Sequence, residues 1–218
     1  MTERPKCALE PAGAKPIVLV VEDDESMRRA LSNLFRSVGL DVEAFGSTSE
    51  IQQSKLPDVA SCMVLDVRLP GLSGLEFQSE LAKAKIHIPI IFMTGHGDIP
   101  MTVRAMKRGA VDFLTKPFRD QDMLDATTTA IERDRKRRES EGIVENLQTL
   151  YETLSPRERQ VLAFLSSGLI NKQIAAELGL AEITVKIHRG HVMKKMAAKS
   201  LPDLVRKAGA LGVRLSRT

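Results

Sequence analysis

Acidic, hydroxyl and basic side chains stand where four short strand-like runs stop. Ile17 to Val21 breaks into Glu22-Asp23-Asp24-Glu25, Cys62 to Leu65 breaks at Asp66, Ile90 to Met93 at Thr94, and Val111 to Thr115 at Lys116. The first three are apolar and suit strands buried in the sheet. In an open parallel sheet, ligands bind just outside the carboxyl ends of the strands, so these groups would meet on one rim. Together they are a kit for moving a phosphoryl group. Asp66 would be the nucleophile and form an acyl phosphate. A cation held by the acids, with Lys116, would neutralise the equatorial oxygens, and Thr94 would donate to one of them.

Each group also has a plainer reading. Asp66 could simply cap the loop Leu69-Pro70-Gly71-Leu72-Ser73-Gly74 that follows it. Asp24 and Glu25 could serve a helix N-terminus, which favours acids. Four adjacent acids repel one another, however, and a hard cation with oxygen ligands relieves that repulsion. A phosphatase built on a nucleophilic Asp would want a second acid two residues on, where this chain has Arg68. A dinucleotide-binding reading is weaker still, since no G-x-G-x-x-G follows the first strand. His87 and His96 lack metal-ligand partners at useful spacing and read as surface residues.

The elements that must carry these groups alternate. Met27, Ala30, Leu31, Leu34, Phe35 and Val38 lie at helical spacing and Gly39 closes that helix; Asp41 to Phe45 is a short strand, and Thr48 to Lys55 a short helix. Leu75, Phe77, Leu81 and Ala82 predict a third helix, and Val103, Ala105 and Met106 a fourth that stops at Gly109. Five strand-helix alternations predict a doubly wound parallel sheet. Lys116-Pro117 invites a cis peptide bond.

The 218 residues leave room for a second domain, and 43% hydrophobic content supplies aliphatic cores without tryptophan. No apolar run approaches the ~20 residues of a membrane span, and no secretory signal pattern opens the chain, so a soluble cytoplasmic protein without membrane contact is expected. Two cysteines, Cys7 and Cys62, are no disulfide framework. Charge is unevenly spread: residues 151–218 carry 12 basic against 5 acidic side chains, while residues 1–120 carry 15 against 16. A basic C-terminal third suits a polyanionic partner, although basic surfaces also serve solubility.

The motifs VVEDDESMRRAL, VLDVRLPGLSG, IIFMTGHGD and AVDFLTKPF resemble, in order and spacing, the receiver domain of bacterial two-component response regulators. The resemblance implies a flavodoxin-like (βα)5 fold and phosphorylation of Asp66 by a partner sensor histidine kinase. It also implies Mg2+ (or Mn2+) ligated directly by Asp23 and Asp66, through water by Glu22, and by the backbone carbonyl of Arg68. Thr94 and Lys116 would act as the family's switch hydroxyl and lysine, and Phe113 would match its switch aromatic. Beyond Mg2+-dependent self-phosphorylation and dephosphorylation, the protein is not expected to be an enzyme.

From Asp120 the pattern is helical, with Met123, Leu124, Ala126, Ala130 and Ile131 inward, followed by an almost wholly charged stretch from Glu132 to Glu141. Such a stretch reads as a solvent-crossing spacer. Ile143, Leu147, Leu150 and Leu154 then resume at coiled-coil spacing, which suits either a self-associating linker helix or a local turn packed on the next domain.

Ser155, Pro156 and Glu158 start a helix as cap, first residue and capping-box partner. Asn171 to Leu178, a turn at Gly179, and Ile183 to Met196 follow; helix, tight turn and basic helix predict a helix-turn-helix. The run LSPRERQVLAFLSSGLINKQIAAELGLAEITVKIHRGHVMKKM resembles the LuxR/FixJ-type DNA-binding domain. The resemblance implies that Asn171, Lys172 and Thr184 hold phosphates and that Lys186, Ile187 and Gly190 face the bases, with Arg189 and Lys194 adding charge. Gly190 would either let the backbone approach the groove or forfeit a base contact. His188 reads as a core or phosphate-linked residue rather than a metal ligand with His191. The last helix, with Leu204, Val205, Ala208 and Leu211, would be the dimer contact, or would pack within its own domain.

The architecture expected is therefore α/β plus all-α. A disordered tail (1–15) precedes a receiver (16–122), a linker helix continuing the receiver's last helix (123–152) and a four-helix LuxR-type domain (153–218). The expected function is a response regulator of the NarL/FixJ family that dimerises on phosphorylation and binds promoter DNA at paired half-sites. The competing expectation is a constitutive DNA-binding protein whose receiver is only an interaction platform.

Overall fold

A computed structural model describes residues 14–95 and 99–213. Most of the expected tail, with Cys7, and also His96 lie outside the described residues. Contacts divide the chain into two compact units with the boundary between Glu139 and Ser140.

The first unit alternates β1 (Ile17–Val21), α1 (Glu25–Ser37), β2 (Asp41–Phe45), α2 (Thr48–Gln53), β3 (Ser61–Asp66), α3 (Gly74–Lys83), β4 (Ile90–Thr94), α4 (Ile99–Lys107) and β5 (Asp112–Thr115), ending in α5 (Asp120–Glu152). All strand pairs are parallel, in the order β2-β1-β3-β4-β5 of flavodoxin-like sheets. Period-two alternation sorts the strand side chains onto two faces. Val18, Val20, Cys62, Val64, Ile91 and Met93 pack against α1 and α5. Leu19, Val21, Met63, Leu65 and Phe92 pack against α2, α3 and α4. This double burial explains why the central strands are apolar throughout, and why polarity returns only at their ends.

Helix α5 departs from the expected spacer. Within its charged stretch, Asp134 is 0% exposed. It accepts from the Ser61 amide at 3.0 Å, from Arg137 Nη2 at 2.6 Å and from Arg138 Nε at 2.9 Å. Arg138 also reaches Asp58 at 3.2 Å and the Pro57 carbonyl at 3.0 Å. The stretch is therefore clamped to the start of β3, not solvated on every side.

The second unit contains the end of α5 and four helices, α6 (Pro156–Ser166), α7 (Asn171–Leu178), α8 (Glu182–Lys195) and α9 (Leu201–Ala210). The expected capping box of Ser155 and Glu158 is present on α6. Ala181 gives α8 no side-chain cap, a deficit of ~1 kcal/mol relative to Ser. The core gathers Leu154, Val161, Leu162, Leu165, Ile174, Val185, Val192 and Met196, with Leu150 and Tyr151 of α5 against it. Two of the four coiled-coil positions, Leu150 and Leu154, are thus taken up by this core; Leu147 is also buried, and Ile143 stays exposed. The expected dimer stripe divides between core and surface in this unit. Leu204 and Ala208 are 0% exposed and belong to this core, whereas Val205 and Leu211 are half-buried.

Candidate functional site

Sheet register assembles the first site. Val21 pairs with Leu65, so Glu22 follows beside Asp66. Asp66 pairs with Met93, which sets Thr94 next to it, and Thr94 pairs with Thr115, which delivers Lys116. The Lys116 amide donates to the Thr94 carbonyl at 2.7 Å, and the Lys116-Pro117 bond is cis.

Lys116 Nζ lies 2.5 Å from Asp66 Oδ2 and 2.6 Å from Glu22 Oε2. Asp66 Oδ1 accepts from the Arg68 amide at 2.8 Å. Asp66 therefore does both things its position suggests: one oxygen caps the loop, and the other faces the ammonium. Asp23 joins them, with one carboxylate oxygen from each of Glu22, Asp23 and Asp66 lying within 4.8 Å of the others. Three carboxylates against one ammonium leave net negative charge in a pocket where Glu22 and Asp66 are buried. Burial pushes the Glu22 carboxyl above its usual range and Asp66 adds repulsion, with the Lys116 hydrogen bond only partly offsetting them. Burial alone would lower the Lys116 ammonium, but its hydrogen bonds to Asp66 and Glu22 carry it above the usual lysine value. An oxygen-only donor set with surplus negative charge fits a hard divalent cation such as Mg2+.

Asp24, Thr94 and Phe113 lie in the same unit. Asp24 is the N-cap of α1, accepting from the Met27 amide at 2.8 Å, so the extra acid serves the helix and not the cluster. Thr94 is buried at the end of β4. Phe113 is half-buried, with its ring 6.2 Å from that of Phe92 across β4 and β5. Sequence reasoning missed two residues. Arg28 on α1 donates to the carbonyls of Glu22 at 2.6 Å and Asp23 at 3.1 Å, which pins the acidic loop; nothing in its spacing signals this. Gly74, read only as part of a turn, opens α3 directly against the acceptor strand. A Cβ there would sit 2.4 Å from the Asp66 carbonyl oxygen.

In the second unit, Lys172, Lys186, Ile187, Gly190 and Lys194 are exposed, and Asn171, Thr184 and Arg189 are half-buried. Arg189 Nη1 reaches Asn171 Oδ1 at 3.5 Å, tying α8 to the start of α7. Among the described residues, Glu158, His188 and His191 also bring ligand atoms within 4.8 Å. This trio differs from the first. Glu158 Oε2 already accepts from Lys195 Nζ at 2.7 Å and from the Ser155 amide at 2.7 Å. Burial would raise the Glu158 carboxyl, but Lys195 and the Ser155 amide hold it below its usual range. One carboxylate balanced by one ammonium is a structural pair.

Comparison with known proteins covers both units. The family described as "Response regulator receiver domain" matches residues 18–128, and "Bacterial regulatory proteins, luxR family" matches residues 152–208. Nodulation protein W of Bradyrhizobium diazoefficiens is 69% identical over 207 residues, 95% of this chain and 91% of that protein. Response regulator protein TodT of Pseudomonas putida F1 is 46% identical over 190 residues, 87% of this chain and 84% of that one. Among solved structures, the response regulator StyR is similar at a TM-score of 0.80 and 48% identity, covering 90% of this chain and 99% of that one.

Proposed function

We propose, since this chain belongs to the response regulators that join a receiver domain to a luxR-type DNA-binding domain, that phosphoryl transfer onto Asp66 gates its binding to DNA. The observation that carries this reading is the Lys116 ammonium held at 2.5 Å from Asp66 and 2.6 Å from Glu22. The donor is a phosphohistidine on a sensor kinase. An Asp66 carboxylate oxygen attacks the phosphorus, the bond from phosphorus to the imidazole nitrogen breaks, and the imidazole leaves after taking up a proton. The product is an acyl phosphate on Asp66.

Mg2+ held by Glu22, Asp23, Asp66 and the Arg68 carbonyl supplies charge neutralisation when bound. Lys116 follows the transferred group from carboxylate to phosphoryl oxygen. Thr94 donates to a second oxygen, and Phe113 turns inward as Thr94 moves. No described helix is long and apolar enough to cross a membrane, and a kinase-driven DNA-binding regulator belongs in the cytoplasm.

The receiver spans residues 16–122, α5 continues as linker to residue 152, and residues 153–218 bind DNA. Asn171, Lys172 and Thr184 hold phosphates, with Lys186, Ile187 and Gly190 toward the bases and Arg189 and Lys194 beside them. The exposed apolar residues of α4, Ile99, Val103 and Met106, form the surface on which a second copy pairs after phosphorylation, matching paired half-sites. Incubation with acetyl phosphate and Mg2+ followed by intact-mass measurement tests the chemistry. One phosphoryl adduct is expected in the native chain and none in Asp66→Asn, and an adduct that persists in Asp66→Asn removes the assignment.

A further inference from the structure

Helix α8 presents two unlike faces. Val185 and Val192 enter the core, while Ile183 and Ile187 stand out at 65% and 52% exposure. They are four residues apart, and Gly190 follows three later, so the three lie on one outward stripe. Lys186 lies beside that stripe and Lys194 continues it one turn on, and both are exposed. Two large aliphatic side chains held in water beside lysines cost solubility and contribute nothing to this unit's core. Gly190 is as unexplained from within. A Cβ at this position would meet nothing within 4 Å, yet glycine inside a helix forfeits stability relative to alanine. Both oddities are resolved by an occupant outside the chain.

We propose that Ile183, Ile187 and Gly190 form a low, apolar reading edge for the C5-methyl groups of thymine in the major groove. The inference rests on α8 being the recognition helix, and it adds Ile183 to the base-reading set and names the base chemistry. The charge of the surrounding lysines selects DNA over an apolar protein surface as occupant. Of the groups that base pairs display in the major groove, the thymine methyl alone is apolar, and aliphatic side chains are its complement. The missing side chain at Gly190 lets the helix axis settle close enough for both isoleucines to reach. Affinity then comes from the basic residues, and discrimination at two positions comes from methyl burial.

The test uses the full chain treated with acetyl phosphate and Mg2+, and DNA selected by it from random sequence. Each thymine of the selected site is replaced in turn by uracil, which removes only the methyl group. Two replacements per half-site should weaken binding about four-fold each, the equivalent of ~0.8 kcal/mol for one buried methyl-sized group. Ile183→Ala should erase the sensitivity at one of these positions, and Ile187→Ala at the other, without further loss on uracil DNA. Both residues are exposed, so neither variant threatens folding. Gly190→Ala should raise the melting temperature and weaken binding to the selected site. Uracil replacements that are silent throughout, or a methyl effect that survives in both alanine variants, would overturn the proposal. Failure to select any sequence at all would instead overturn the reading of α8 as a recognition helix.

Discussion

The two sites of this molecule are built on opposite principles. The strand-end site is largely buried and electrostatically unbalanced, with Glu22, Asp66, Thr94 and Lys116 brought together by the register of a parallel sheet and Asp23 held on its rim. The outward face of α8 is exposed and places its side chains by helical period, with the Arg189 to Asn171 contact at its edge. Covalent chemistry needs atoms fixed before the reaction, because misplacement of a nucleophile is costly in rate. Reading DNA needs groups left unpaired and free to meet a partner. Substitutions should therefore damage the first site through strain and lost partners, whereas the second should tolerate them structurally and lose only binding.

The largest effect expected is at Asp134. Replacing it with alanine takes a fully buried carboxylate from Arg137, Arg138 and the Ser61 amide, and breaking a buried pair costs about 3 kcal/mol. Urea unfolding of the receiver should report that loss; a shift below about 1 kcal/mol would mean that the clamp on α5 is an ordinary surface pair.

The glycines then set the two regions directly against each other. Gly74→Ala forces a Cβ to 2.4 Å from the Asp66 carbonyl, and such overpacking costs about 2 kcal/mol. It should also slow phosphorylation by acetyl phosphate, because the acceptor strand must shift. Gly190→Ala, in open space, should stabilise its unit by up to about 1 kcal/mol. Equal signs for the two glycines in thermal melts would erase the contrast.

Glu22→Gln sharpens it further. Because burial and Asp66 raise the Glu22 pKa above 4.5, this group favours the fold below that value, and the contribution is lost as pH rises through its folded pKa. At neutral pH the charge is then a cost to the fold. Glu22→Gln should therefore raise the melting temperature at pH 7 but not at pH 4, while weakening Mg2+ binding followed by calorimetry. A lower melting temperature at pH 7 would mean that the Lys116 pair outweighs the burial of charge.

The smallest effect concerns Asp203 at the start of α9. The Lys199 amide and Arg206 hold its pKa down to about 2, against an ordinary 3.8. Its stabilising contribution is present above 3.8 and should fade as pH falls towards about 2. Acid titration of native and Asp203→Asn chains by circular dichroism should converge at the acid end, and parallel curves would count against the linkage.

What was legible in the sequence follows the same division. Strand ends were legible because a doubly covered strand must be apolar until it leaves the core, so Glu22, Asp66, Thr94 and Lys116 mark their own positions. Capping chemistry was legible too, since Ser155, Pro156 and Glu158 act within one turn. Residues whose role depends on what covers them were not. Asp134 looked like one more charge in a solvated run, because only the fold brings Ser61 and Arg138 to it. Leu204 and Ala208 showed an apolar stripe at the right spacing, and periodicity cannot say whether that stripe meets a second copy or its own core. Arg28 gave no sign at all, because its partners are backbone carbonyls.

The central claim is that a covalent change at the buried site controls binding at the exposed one. DNA affinity of the full chain, measured on a selected site with and without acetyl phosphate and Mg2+, in native and Asp66→Asn forms, tests it most directly. Affinity should rise with the phosphodonor in the native chain and stay at the unphosphorylated level in Asp66→Asn. Equal affinity in all four conditions would contradict gating and leave a constitutive DNA-binding protein with the receiver as an interaction platform.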